Sequence, residues 1–407
     1  MRVLFLTPRL PFPPNRGGEI TVFNFLRVLS RRHELSLVSF YDRPEELAYR
    51  GDLERYCRHV EMVPRPTKLA PAVLARTLFG RRSYAVERHA SGRFAAAVRE
   101  MVARATPDVV QIETFLMGQY LDELRPLPTV LDMHNVTWLL WDRSVAVAKP
   151  WVRMPLAIQA ARLRRDEVAV CRAVDVCAPV SDADRRELHR VAGPSIRSVV
   201  VTPGVDCDLF QPVVHGDTGP EILFVGSMNY PPNIDAAEYF CRDILPRVAA
   251  VIPGVRLSIV GANPTPSMLG LAGERVVVTG FVPDVRPYYE RAAVVVVPLR
   301  VGGGIRMKIL EGLALGAPMV STSVGAEGLG LSDGRELLLA DEPQRFADAV
   351  VRLIGDRGLR QRLSQQARDA AVRRFSWEAV GATLTDLYQS LVPPVAAARE
   401  PRVQHRA

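Results

Sequence analysis

Residues 293–322 read AVVVVPLRVGGGIRMKILEGLALGAPMVST. The valine run ending at Leu299 is short and apolar on both faces, as a strand buried in a parallel sheet must be. After the three glycines, apolar residues recur at helical spacing from Ile305, and APMVST then reads as another buried strand. Strand, helix and strand in thirty residues predict a parallel α/β arrangement.

The same alternation runs through the chain. In the first half, strands are expected at 3–7, 35–40, 108–112, 129–133, 174–180 and 198–202. Helices are expected at 20–32 and from about Pro155 to Cys171. TPGVDCDLFQPVVHGDTGPE (202–221) breaks the pattern with proline, glycine and aspartate and reads as an interdomain linker. A second strand series follows at 221–226, 256–261, 275–280, 293–299, 317–322 and 336–340. Two doubly wound domains facing a cleft are the fold expected, with functional residues just past the strands' carboxyl ends. The expected divisions are 1–205, 206–375, a helix at 376–391 crossing back to the first domain, and a disordered tail at 392–407.

The 407 residues are 48% hydrophobic and 24% charged, an ordinary globular composition able to fill two cores. No apolar run reaches the roughly 18 residues of a membrane span. The N-terminus is too proline-rich for a signal peptide, so a cytoplasmic protein is expected. Five scattered cysteines without CxxC pairing, and seven histidines without ligand spacing, predict neither disulfides nor a metal. Net charge is +8, yet residues 1–200 carry +9 and the remainder −1. Such asymmetry suits an anionic partner, and equally a solvated arginine-rich surface. Nucleic acid is not expected, because the basic residues lack interleaved aromatics.

Three elements could carry chemistry. Gly302, Gly303 and Gly304 allow close backbone approach, and the helix start beyond them offers free N–H groups to an anion. Arg306 and Lys308 add full charges there, and Lys308 is the sole lysine after residue 200. Glu311 could accept hydrogen bonds from a sugar diol. Together they suit a nucleoside diphosphate, although a glycine turn before a solvated helix face would read the same. Neither a GxxxxGK[ST] loop nor a GxGxxG fingerprint is present. Gly17 and Gly18, between the first strand and helix, form a second candidate anion loop. His134 directly follows the TVLDM strand, and Glu113 occupies a similar edge after DVVQI.

These residues resemble family-four retaining glycosyltransferases of the GT-B fold. The resemblance is carried by 293–329, with LFLTPRLPFPPNRGGEI, FVGSMNYPPNIDA, GFVPDVRPYYERA, PVSDADR and FSWEAV, and covers roughly 1–391. It implies two Rossmann-like domains and metal-independent, cofactor-free transfer of a sugar from a nucleoside-diphosphate sugar to an acceptor hydroxyl. By the same resemblance, Lys308 with Arg306 stabilises the diphosphate and Glu311 holds the ribose. Gly17, Gly18, Gly226 and Gly302–Gly304 line the donor, Phe281 and Val282 flank the base, and His134 contacts the sugar. Glu113 is an acceptor-side candidate.

Two departures stand out. Many members carry a glutamate eight positions before the ribose ligand, where this chain has Gly303. The Arg/Lys pair that some place after the first strand of the second domain is replaced by GSMNYPPN. A GT-B epimerase or phosphorylase, or a non-catalytic nucleotide-sugar-binding module, are the alternatives. The acceptor, whether glycan, lipid-linked or small molecule, is not readable. Segment 71–93 mixes apolar residues with arginines and fits either an anionic bilayer at the inner membrane face or a core-facing helix with a basic outer side.

Overall fold

The computed structural model describes residues 1–15, 17–67, 71–146, 150–212, 219–302 and 304–392. Gly303 and the tail from 393 lie outside the described residues. The chain forms two six-stranded sheets, each in its own compact unit.

The first sheet contains β1 (Arg2–Thr7), β2 (Glu34–Tyr41), β3 (His59–Pro64), β4 (Val109–Glu113), β5 (Thr129–Met133) and β6 (Val176–Pro179), in the order β3-β2-β1-β4-β5-β6. The second contains β7 (Glu221–Val225), β8 (Arg256–Val260), β9 (Val276–Gly280), β10 (Val294–Val297), β11 (Met319–Ser321) and β12 (Leu338–Leu339), in the order β12-β11-β10-β7-β8-β9. Each begins at an inner strand, builds to one edge, then returns to build the other side. The strand order therefore reverses between β1 and β4, and between β7 and β10, and ligands of such sheets bind beyond those strand ends.

The helices used below are α1 (Gly17–Leu29), α2 (Pro71–Phe79), α3 (Pro150–Ala173), α4 (Pro231–Tyr239), α5 (Met307–Ala314) and α6 (Trp377–Gln389). α1 buries Val22, Phe25, Leu26 and Leu29, the helical spacing that its sequence sets. α5 packs closely on β11 because Gly312 has no side chain: a Cβ there would lie 2.6 Å from Met319 Sδ. Gly381 does the same for α6, where a Cβ would meet Val28 Cγ2 at 2.9 Å.

The first unit comprises Met1–Ala178, His189–Val199 and Gly381 onward; the second comprises Pro179–Leu188 and Val200–Val380. The sequence reading divides the chain at 205/206 and again at 375/376, where a helix is expected to cross back. Helix α6 begins in the second unit and ends in the first.

Three sequence expectations need correction. HVEMVP forms edge strand β3, which was not foreseen because an edge strand alternates buried and partly exposed residues and shows no apolar run. SVVVT (198–202) is no strand; it runs beside β6 through one bridge, Ser198 to Cys177, and Pro203 follows at once. The linker at 202–221 is packed rather than free as far as Pro212. Val205 and Cys207 sit in the second core, and Arg368 donates to the carbonyls of Phe210 at 2.7 Å and Cys207 at 3.0 Å.

Candidate functional site

In the second unit, β7 and β10 deliver their following loops side by side. Helix α5 starts at Met307, which puts Lys308 in its first turn and Glu311 one turn on. Lys308 Nζ donates to Asn233 Oδ1 at 2.8 Å and stands 4.5 Å from the centre of the Phe224 ring. Asn233 is buried in the first turn of α4, and its own amide donates to the Ser227 carbonyl at 2.9 Å. Burial pushes the Lys308 ammonium down to about 7; Arg306 adds to the fall and Glu311 opposes it. Burial also raises the Glu311 carboxyl, against the pull of Lys308. Beside them the buried Tyr289 hydroxyl has no hydrogen-bond partner, and burial with the Glu311 charge holds it far above its ordinary range.

Gly226 belongs to this group for a steric reason. A Cβ there would lie 2.6 Å from Asn233 Nδ2 and 2.9 Å from Lys308 Nζ. Arg306 is placed differently from a diphosphate ligand pointing outward. Its guanidinium is buried, donating to the carbonyl of Gly304 and, at 3.1 Å, to that of Val324. It ties the glycine loop to the 322–326 turn. Gly302 lies against it, since a Cβ would meet Arg306 Nη2 at 2.8 Å, and Gly304 adopts φ +70°, which favours glycine. Phe281, just past β9, is 76% exposed, while Val282 leans on the core.

In the first unit the two edge residues singled out from sequence meet. His134 Nε2 is 2.7 Å from Glu113 Oε2 and 3.6 Å from Asp132 Oδ2. Glu113 and Asp132 are register partners on β4 and β5, both fully buried. Gln111 Nε2 donates to Glu113 Oε1 at 3.3 Å, and the Tyr388 hydroxyl on α6 donates to Gln111 Oε1 at 3.1 Å. Burial opposes a charge on His134, but Asp132 and Glu113 outweigh it and lift the imidazole to about 9. Burial and the neighbouring Glu113 drive the Asp132 carboxyl well above its ordinary range.

Gly18 packs on the other ring nitrogen: a Cβ would lie 3.5 Å from His134 Nδ1. Gly17 has open space around it. A cavity of about 430 Å³ opens here, lined by Thr7, Gly18, Glu113, Thr114 and His134. Thr114 is held at φ +66°, a strained conformation for a residue with a Cβ. Glu113, Asp132 and His134 also place potential ligand atoms within 4.8 Å of one another, the one such group among the described residues. The His134–Glu113 hydrogen bond occupies the facing atoms of that group, so a cation would have to displace a proton already held there.

A second cavity of about 690 Å³ shares Arg9, Glu19 and Arg65 with the first. Phe12, Asp42, Arg43, Tyr49 and Arg88 also line it. Arg65 is buried and grips Asp42 with two hydrogen bonds, one of 2.6 Å from Nε, and Arg88 Nε is buried without a partner. Sequence reading missed Asn233, Gln111, Asp132, Tyr388 and these arginines. Only the basic excess of the first half pointed toward the arginines.

Two doubly wound units with these strand-end sites define a GT-B glycosyltransferase. Residues 219–356 match the family described as Glycosyl transferases group 1, and residues 15–209 match Glycosyltransferase Family 4. The chain belongs to this family of glycosyltransferases. It is 28% identical over 313 residues to a D-inositol 3-phosphate glycosyltransferase of Xylanimonas cellulosilytica, covering 69% of this chain and 71% of the relative. It is 28% identical over 227 residues to a phosphatidyl-myo-inositol mannosyltransferase of Mycobacterium tuberculosis, covering 52% of this chain and 58% of the relative. Among solved structures, Anabaena HepE in complex with UDP aligns with TM-score 0.67 at 16% identity, covering 96% of this chain and 100% of that one. Sucrose-phosphate synthase of Thermosynechococcus elongatus aligns with TM-score 0.66 at 18% identity, covering 96% and 99%. At such identities these likenesses carry the fold alone.

Proposed function

We propose that the protein is a retaining, metal-independent glycosyltransferase that takes its sugar from a nucleoside-diphosphate sugar. The observation that carries the donor reading is Lys308. An ammonium pressed down to about 7 lacks a full counter-charge, and it stands in the first turn of α5, where backbone N–H groups also favour an anion. A diphosphate supplies that charge. Asn233 aims the ammonium, Glu311 takes the ribose hydroxyls, and exposed Phe281 offers a face to the base. Arg306 serves by fixing the loop rather than by touching phosphate.

In the reaction the acceptor oxygen bonds to the anomeric carbon while the bond from that carbon to the phosphate oxygen breaks. The acceptor's proton passes to the departing phosphate. Negative charge growing on that phosphate is what Lys308 and the α5 N–H groups stabilise. On the first unit, His134 as imidazolium, oriented by Glu113, donates from Nδ1 to a sugar hydroxyl. Two things support a phosphorylated polyol as acceptor. One relative is a D-inositol 3-phosphate glycosyltransferase and another a phosphatidyl-myo-inositol mannosyltransferase, and the 690 Å³ cavity sets four arginines against three carboxylates beside aromatic rings.

A thermal-shift screen against UDP, GDP, ADP and dTDP, with Lys308→Ala and Glu311→Ala in parallel, tests the reading. One nucleotide at about 100 times its Kd should stabilise the wild type by about 2.7 kcal/mol and the variants much less. No shift with any nucleotide, or equal shifts in the variants, overturns the donor site. Transfer that survives chelator, with product retaining the donor's anomeric configuration by NMR, tests the remainder.

A further inference from the structure

The first unit carries an outward apolar stripe that the chemistry above does not use. Along α3, Ala160, Leu163, Glu167 and Cys171 are buried at helical spacing. The opposite face begins with Trp151, Met154 and Ile158, again at helical spacing, and these point outward: Trp151 is 72% exposed and Met154 74%. Phe79, which ends α2, is 90% exposed. One hydrogen bond joins the two elements, from Arg162 on α3 to the Thr77 carbonyl on α2 at 2.6 Å, and beyond the end of α2 Gln159 accepts from the Tyr84 N–H at 2.9 Å. Large apolar side chains displayed together on one surface mark an interaction site.

Charge says what covers it. Between residues 62 and 86, and again between 143 and 165, the sequence contains no Asp or Glu, against five and six Lys or Arg respectively. Arg81, Arg82, Arg153, Arg164 and Arg165 are exposed, and Arg165, on the stripe's own side of α3, donates to the Arg81 carbonyl. A second copy of this chain would bring the same positive charge to the contact and repel it. A bilayer rich in anionic headgroups meets both features, taking the apolar side chains below the headgroups and the guanidiniums among the phosphates.

We propose that the α2–α3 surface, with its exposed Phe79, Trp151, Met154 and Ile158 and its exposed Arg81, Arg82 and Arg153, seats the protein on an anionic membrane. The surface belongs to the first unit and does not rest on the donor site. No helix among the described residues is long and apolar enough to cross a membrane, so this contact is one with the surface of the bilayer.

The test is co-sedimentation of the full chain with phosphatidylcholine vesicles, with and without about 30 mol % phosphatidylglycerol. Binding is expected only with phosphatidylglycerol and should fall in high salt. Each cation lost at an anionic surface lowers partitioning about five-fold, so Arg81→Glu/Arg82→Glu/Arg153→Glu should lower it at least about 100-fold. Trp151 supplies a second readout in a Trp141→Phe background, since Trp138 and Trp377 are buried and Trp141 is only half-buried. Tryptophan emission should shift to the blue on the vesicles, and Trp151→Phe should abolish the shift while leaving most of the sedimentation. The substituted side chains are exposed, so melting temperature and nucleotide-induced shift should match the wild type. Absent binding, binding indifferent to phosphatidylglycerol, an unaffected charge-reversal variant, or an emission spectrum unchanged on vesicles each overturns the proposal. A failed nucleotide screen would leave it standing.

Discussion

If Lys308 holds a diphosphate, donor binding must take up a proton. In the free protein burial lowers its pKa from the ordinary 10.5 to about 7. Keeping the charge in place therefore costs at most about 5 kcal/mol, at about 1.4 per unit, less whatever solvent reaches the partly exposed side chain. The folded-state value is depressed, so the unfolded chain holds this proton up to 10.5 while the folded chain releases it near 7. This group therefore makes ligand-free stability increase with pH through that window. A bound diphosphate reverses the balance and recharges the amine. At pH 8 about one-tenth of free Lys308 is protonated, so binding should take up about 0.9 proton; at pH 6 the uptake should be about 0.1, and Kd should weaken about ten-fold between the two. Calorimetry in buffers of different ionisation enthalpy measures this directly. The nucleotide sugar, a diphosphate diester, is the right titrant because its phosphates do not titrate near neutrality. Lys308→Arg keeps a charge but should show no uptake. Equal heats in all buffers, or uptake that persists in Lys308→Arg, would refute the reasoning.

Three further outcomes are expected. Glu113→Gln removes one support of the histidine, so the His134 imidazole, raised to about 9, should titrate lower by NMR. Its raised value stabilises the fold fully below 6.5 and less as pH climbs through 9, so the variant should lose part of that increment at neutral pH. Gly226→Ala drives a Cβ into Asn233 and should weaken nucleotide binding about 10–100-fold, the loss of a hydrogen bond to a charged group, as measured by titration. Gly204→Ala would place a Cβ 2.7 Å from the Trp377 ring and should destabilise the protein by about 1–3 kcal/mol in urea unfolding, with no comparable change at the nucleotide site.

Much of the site was legible because it is local. Strand, glycines, helix, Lys308 and Glu311 occupy one short stretch, and helical periodicity alone sets the lysine one turn before the glutamate. That the Arg306 guanidinium turns back onto the Gly304 and Val324 carbonyls follows from no local rule and was not legible. Glu113 and His134 were both marked by their strand-end positions. Their hydrogen bond follows from the register of β4 on β5, which sets Glu113 opposite Asp132.

The sequence by itself determined what repeats along the chain: buried strands as continuous apolar runs, helices as apolar stripes, and two such series. Those patterns express burial, which each residue reports at its own position. Only the tertiary structure decided which polar groups meet. Asn233 reaches Lys308 across 75 residues, and Tyr388 reaches Gln111 across 277. Asparagine and tyrosine carry no periodic signal, and their value here lies in one partner at hydrogen-bond distance. That distance is fixed by sheet order and helix packing, so the pKa values of Lys308 and His134 are properties of the folded molecule.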